Sequence, residues 1–266
     1  ATYVNEDSYI FNVDYLYTHK QDSAIIRNLA DSQTGTAPDG RPIYSETEHF
    51  RESDFMLTNV KGSDGYSHIL SLAVNKSFDN GVDLALSYAH TVAKDVHAMT
   101  SAVAFSNYHG VATSDPENPG VATSDYEIPH RFTMSLGYTH EFFDGYDTKF
   151  NLFGQASKTN AYSYAFDRRS GGLGFNDSSR QLLYVPAEND SNVIYGPDFD
   201  QSAFNDWVAG EGLERGKIQD RNGIDGDWWV TLDFKVEQEF AGFTNDQKGS
   251  AYFTVKNLTN MLNDDW

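Results

Sequence analysis

The chain has 266 residues, 39% of them hydrophobic and 14% aromatic, and its 39 acidic against 19 basic side chains give a formal charge of −20. That acid excess tells against a nucleic-acid partner, because phosphate binding needs clustered Lys and Arg. The absence of cysteine removes disulfides, thiolate metal sites and thiol nucleophiles. Low hydrophobic content with abundant aromatics suits a sheet of which only one face must be apolar. No run approaches the length of a membrane-spanning helix and no signal peptide opens the chain. Strands cross membranes without such a run, so a membrane location stays open.

The first strand pattern places Tyr9, Phe11, Val13, Tyr15 and Tyr17 opposite Ile10, Asn12, Asp14, Leu16 and Thr18. It either turns at 19–22 or continues through Ile25 and Arg27. The turn-rich GTAPDGRPIY follows. It leads to Glu46, Glu48, His49 and Glu52, read as a solvated acidic loop, with divalent-ion binding as the sharper alternative. Residues 53–78 read as one strand, with 62–65 as a bulge or hairpin tip. Asp79-Asn80-Gly81 is a tight turn into a strand that sets Val82, Leu84, Leu86 and Tyr88 against Asp83, Ala85, Ser87 and Ala89. Residues 95–125 form a long loop in which VATSD occurs twice, at 111–115 and 121–125. Such a duplication is expected in an exposed loop.

Residues 130–157 carry the clearest signal. Phe132, Met134, Leu136, Tyr138 and Phe142 alternate with Arg131, Thr133, Ser135, Thr139 and Glu141. After Asp144-Gly145 the pattern restarts, with Phe150, Leu152, Gly154 and Ala156 opposite Lys149, Asn151, Gln155 and Ser157. This is an antiparallel hairpin with arms of about a dozen residues, longer than the usual soluble strand of about five or six. The second arm runs on toward Phe166. Residues 167–227 are a Gly-, Asp- and Asn-rich stretch with short strand-like pieces such as LLYVP. The last hairpin sets Trp228, Val230, Leu232, Phe234 and Val236 against Thr231, Asp233, Lys235, Glu237 and Glu239. It turns near 241–246 and returns with Ala251, Phe253 and Val255.

The connections alternate: long (30–52), short (79–81), long (95–125), short (144–145), long (167–227), short (241–246). Outer-membrane barrels alternate short periplasmic turns with long extracellular loops, whereas a soluble sandwich has no reason to gather its long loops at one end. The fold class expected is therefore all-β, a partial antiparallel transmembrane β-barrel with about seven long strands. An even strand count is the rule in such barrels, so the chain reads as a fragment lacking its beginning and at least one final strand.

Several segments resemble the C-terminal barrel region of Oar-like TonB-dependent receptors: PDGRPIY (38–44), KSFDNGVDLALSYAHTVAKDV (76–96), YEIPHRFTMSLGYTHEFFDGY (126–146), RNGIDGDWWVTLDFKVEQEF (221–240) and VKNLTNMLNDDW (255–266). The resemblance covers most of the chain in the same order. It implies a barrel of about 22 strands closed by an N-terminal plug. It also implies residence in the outer membrane of a Gram-negative bacterium, among lipid and lipopolysaccharide. The TonB energy-coupling complex would be met through an N-terminal region, plug included, that has no match in these residues. The function implied is binding and energy-coupled import of a small ligand, peptide or glycan, with no cofactor.

Candidate lumen-lining residues are Arg131, Glu141, Lys149, Asn151, Asp233, Lys235 and Glu237, with Arg131 and Glu141 as an ion-pair candidate. Trp207, in FNDW of the longest loop, is the candidate ligand-contacting aromatic, against a bland role as loop anchor. Tyr138, Phe142, Phe143, Tyr146 and Trp228 fit membrane-interface girdles. DRNGIDGD (220–227) departs from a calcium loop at Ile224 and Thr231 and reads as a turn. His90 and His97 lack metal-ligand spacing. No catalytic or metal residues are assigned, and the chain is not expected to be an enzyme. The rival readings are a secreted all-β carbohydrate-binding or glycoside hydrolase module and a non-transporting outer-membrane adhesin.

Overall fold

A computed structural model describes residues 1–45, 54–62, 64–166, 180–244 and 247–261. In chain order the strands are β1 (Thr2–Val4), β2 (Ile10–Lys20), β3 (Ala24–Asn28), β4 (Gln33–Thr36), β5 (Pro42–Tyr44), β6 (Phe55–Asn59), β7 (Gly65–Ser77) and β8 (Val82–Asp95). They continue as β9 (Ala122–Thr123), β10 (His130–Phe143), β11 (Tyr146–Lys158), β12 (Tyr184–Val185), β13 (Lys217–Ile218), β14 (Trp228–Ala241) and β15 (Lys248–Val255). Two helices, α1 (Ala104–His109) and α2 (Gln201–Gly210), lie in the long connections.

One antiparallel meander dominates, in the order β1-β2-β7-β8-β10-β11-β14-β15, with β9 added to the end of β8. The seven long strands expected from periodicity are β2, β7, β8, β10, β11, β14 and β15. The ladder is open among the described residues, since β1 and β15 end the order without pairing with each other. Register confirms the two faces. Val13, Leu72, Tyr88, Phe132, Ala156 and Val230 form one cross-strand row, and Phe11, Val74, Leu86, Met134, Gly154 and Leu232 the next. Their strand neighbours Asp14, Asp83, Asp233, Glu237 and Glu239 all fall on the opposite face.

Neither face carries a second layer. Among the described residues neither α-helix nor another sheet makes a layer over it; the 3-10 turn Leu258–Met261 packs against β14, where Thr259 donates to the Val230 carbonyl. Phe11, Val13, Leu72, Leu86, Phe132, Leu136, Val230 and Phe253 are each more than a third exposed. The buried hydrophobic residues, including Ile25, Tyr44, Val96, Tyr108, Leu182, Val185, Val208 and Leu213, lie instead in the connections at one end of the sheet. This molecule keeps its core in its loops.

Several boundaries differ from the sequence reading. Residues 53–78 are not one strand: β6 leaves the meander and pairs with β3, while β7 starts only at Gly65. β2 accordingly stops at Lys20, and the chain turns at Asp22 with φ 52°. The first long connection thus spans 21–64, because Ile25 and Ile26 bury their side chains against other loops rather than extending the sheet. β11 ends at Lys158 instead of running toward Phe166. The two VATSD copies are largely packed: Val111, Thr113 and Ser124 are buried and Ala122–Thr123 pairs with the end of β8, while Val121 stays exposed. LLYVP does contain a strand, β12, paired with β13. The patch Glu46, Glu48, His49 and Glu52, and the closing residues 262–266, lie outside the described residues.

The short turns are held by glycines in left-handed conformation, Gly81 (φ 84°) and Gly145 (φ 77°). They differ in surroundings. A Cβ on Gly81 would sit 2.2 Å from the Thr139 carbonyl oxygen, whereas one on Gly145 meets nothing within 4 Å. Gly145→Ala should therefore cost only the backbone penalty of about 1–3 kcal/mol. Gly81→Ala should lower the unfolding midpoint further, because it also breaks the bond from Thr139 N–H to the Gly81 carbonyl. Chemical denaturation of the two variants checks that order.

Candidate functional site: the interlocked loops and the polar face

Three connections, 21–64, 96–129 and 159–227, rise from the same end of the sheet and are tied together by side chains that bury their charge. Arg41, fully buried, pairs with Asp39 at 2.7 Å and donates from Nη2 to the Leu182 carbonyl at 2.9 Å. Arg221 reaches from the third connection to Asp95 at the tip of β8, donating to its carboxylate at 3.0 Å and its carbonyl at 2.5 Å. Arg180 donates to the Val111 carbonyl and lies 4.5 Å over the Tyr108 ring. Asn222, at φ 50°, donates to the Thr123 carbonyl and to Asp125. DRNGIDGD is therefore a clasp between connections as well as a turn into β14.

Between the first two connections the contacts are acidic. Tyr108 lies 2.8 Å from Asp31 and 3.0 Å from Glu117, and Tyr44 donates to Asp115 at 2.8 Å. Glu117 also accepts the Asn28 backbone N–H at 3.1 Å. Burial, aided by Asp31, holds the Glu117 carboxyl above the usual range, while the Asn28 and Tyr108 hydrogen bonds work against it. Burial likewise raises both phenols. His97 sits beside this junction, Nε2 against the Asn107 carbonyl and Nδ1 accepting from Met99 N–H; burial depresses its pKa and keeps it neutral. In the outermost part, Tyr184 donates to Asp190 at 2.6 Å, which pushes the phenol up to about 12 and lowers the carboxyl.

A polar cavity of about 680 Å³ opens where the second and third connections meet the ends of β7 and β8. Lys94, Glu127, Asp220, Arg221 and Asp225 bring both signs of charge to its wall. Its size falls within the range of small-ligand sites, and its chemistry suits a ligand rich in hydrogen-bonding groups. Sequence reasoning missed it, since the lining comes from segments about 100 residues apart. Trp207 does not line it. It sits on α2, whose Asp200 cap accepts from Ala203 N–H, and it packs against Tyr164 at 4.9 Å and Phe204 at 5.8 Å beside buried Val208. In this structure Trp207 anchors a helix.

The polar face assembles part of the remaining set. Lys149 stands opposite Glu237, and Asn151 opposite Lys235. Lys149 pairs with Glu239 at 3.1 Å, Lys248 joins the same carboxylate at 3.2 Å, and Lys235 pairs with Glu237 at 2.6 Å. Asp233 accepts the Asn257 backbone N–H. Arg131 and Glu141 are not brought together, because they lie at opposite ends of one strand. Glu141 instead accepts the Gly145 N–H and caps its own turn, and Arg131 makes no ion pair among the described residues. No described cluster of His, Asp or Glu has the geometry of a metal site.

Comparison with known proteins adds no family: no family model, curated protein or solved structure matches this chain.

Two outcomes follow from the clasp chemistry. Arg221→Met leaves the Asp95 carboxylate buried without its cation, a loss of about 3–5 kcal/mol. Limited proteolysis of the full-length protein should then cut the connections first and spare the strands. For Glu117 the folded pKa is the higher one, so the folded state holds the proton more tightly. Its contribution to the junction is present below the unfolded value and falls away as pH rises through the raised value. Glu117→Gln keeps both hydrogen bonds without the charge, and should flatten the increase in amide exchange of residues 24–31 between about pH 4.5 and neutral.

Proposed function

We propose that this chain forms part of the wall and the surface loops of an outer-membrane β-barrel receptor resembling the Oar-like TonB-dependent type, which binds a polar ligand in its loops and passes it inward. The observation that carries this reading is the bare apolar face. A sheet in water must cover such a face with another layer. Here the long strands present mainly apolar cross-strand rows with no second layer over them among the described residues, and all three long connections stand at one end. Hydrocarbon is the covering that fits. Exposed Phe142, Phe143 and Phe253 at the short-turn end, and Tyr15, Tyr17 and Trp228 at the other, suit the two headgroup levels. The band of apolar rows between them suits the height of about 25 Å expected of a barrel wall.

The opposite face, with Lys149, Asn151, Asp233, Lys235, Glu237 and Glu239, would then look into the lumen. The cavity beside Arg221 is the best-formed first contact for ligand, which its mixed charge favours as a peptide or glycan over an apolar compound. Import depends on a plug and coupling segment, the TonB partner acting through them. A soluble carbohydrate-binding module would need the Tyr and Trp side chains as a platform while leaving the rest of the same face wet.

Since the chain contains no cysteine, single cysteines report cleanly. Placed at Phe132, Leu136, Arg131 and Ser135 of the full-length protein in intact outer membranes, and carrying a fluorophore, they should divide by face. A lipid-phase quencher should reach 132 and 136 and leave 131 and 135 untouched. Quenching at none of the four would make the apolar face a protein-covered surface and return the soluble module to first place.

A further inference from the structure

On the apolar face the strands carry no carboxylate at all: every strand Asp or Glu outside the β10–β11 turn projects to the other side, in a chain whose net charge is −20. The charge that its strands bear is basic and sits mainly at the loop end, where His19 is already paired with Asp64 of the adjoining connection at 3.1 Å. His90 and His130 are cross-strand partners with rings 4.9 Å apart, and Lys158 is the cross-strand partner of Trp228, its Nζ 5.7 Å from that ring. His130 also lies 6.2 Å from Trp228, and His68 stands two strands away beside Tyr17. We infer that His68, His130 and Lys158, framed by Tyr15, Tyr88 and Trp228, form a docking strip for the phosphate groups of anionic lipid in the outer leaflet.

The hydrogen bonding supports an outward donor role. Tyr15 lies 2.6 Å from Nδ1 of His68, and Tyr88 lies 2.8 Å from Nδ1 of His130. A phenol that donates to Nδ1 leaves the ring proton on Nε2, and Nε2 of His68 and of His130 has no hydrogen-bond partner among the described residues. Lys158 donates only to the Gly226 carbonyl, so its charge has no carboxylate within ion-pair distance among the described residues. His90 differs, since its Nδ1 is spent on the Pro129 carbonyl. Lys94 is excluded from the strip because it is tied to Thr123 and shares its cavity with Glu127, Asp220 and Asp225. At the short-turn end the one lysine of this face, Lys76, is held by the Asp7 carbonyl, so the asymmetry between the two ends is chemical as well as topological. Rings at headgroup depth with cations beside them are the arrangement that attracts phosphate.

This inference rests on the barrel reading, and the test separates the two. Full-length protein is reconstituted in phosphatidylcholine bilayers, and the motionally restricted fraction of spin-labelled phosphatidylglycerol is compared with that of spin-labelled phosphatidylcholine. The native protein should prefer the anionic lipid by about fivefold. The triple variant His68→Gln, His130→Gln, Lys158→Gln should lose most of that preference while keeping its restricted phosphatidylcholine fraction, which reports that it is still inserted. An unchanged preference in the inserted variant, or none in the native protein, overturns the docking strip alone. The absence of a restricted fraction for either lipid overturns the barrel reading beneath it. Should the triple variant fail to insert, Lys158→Gln alone, with the smallest role in the sheet, must lower the preference for the strip to stand.

Discussion

One constraint governs this molecule: a long antiparallel ladder whose apolar side chains have nothing of the described chain to pack against. A fully buried Leu, Val or Phe contributes about 1.5–3 kcal/mol. Eight such side chains left more than a third exposed therefore forgo on the order of 10 kcal/mol, which equals the whole stability of an ordinary domain, about 5–15 kcal/mol. No soluble arrangement of these strands recovers that loss without a second layer. The ladder hydrogen bonds do not remove the problem, since they satisfy the backbone and leave the side chains where they are.

The loops show the opposite economy of burial. Tyr44, Tyr108, Arg41, Arg180, Arg221 and Asp95 are each buried, although most belong to segments that a composition argument would assign to solvent. Buried charge is tolerable only when paired, and each of these has a carboxylate, carbonyl or ring as partner. The result is a cap in which the described residues of the three connections are tied to one another. The tied connections enclose a polar cavity of about 680 Å³. The sheet positions the cap by planting its three connections side by side, and Arg221–Asp95 joins cap to sheet directly.

Charge is partitioned along the same lines. Carboxylates occupy the cap and one face of the sheet, while the strands of the other face carry histidine and lysine at their margins. Within the polar face, Lys149, Glu239, Lys248, Lys235 and Glu237 neutralise one another across β11, β14 and β15, so this side is hydrated and paired instead of bare. Two faces so different in chemistry call for different surroundings, one hydrated and one covered.

The sequence alone determined the strands, their faces and their short turns. A period of two is a local property, readable at Phe132, Met134 and Leu136, and Asp144-Gly145 or Asn80-Gly81 specify a turn without reference to anything distant. It also determined that long and short connections alternate. Tertiary structure decided everything that joins one connection to another. Residues 55–59 read as part of a long strand but pair with 24–28, because Ile25 and Ile26 gain more from burial in the cap than from extending β2. The second VATSD reads as surface repeat, yet it pairs with Lys94 and Asp95. Trp207 reads as either a ligand-contacting aromatic or a loop anchor, and the choice of Tyr164 and Phe204 as its neighbours is made by the fold. Arg41 finds the Leu182 carbonyl 141 residues away. Contacts of that separation leave no periodicity behind them, so a pattern of neighbours could not announce them, and the cavity they enclose came into view only with the fold.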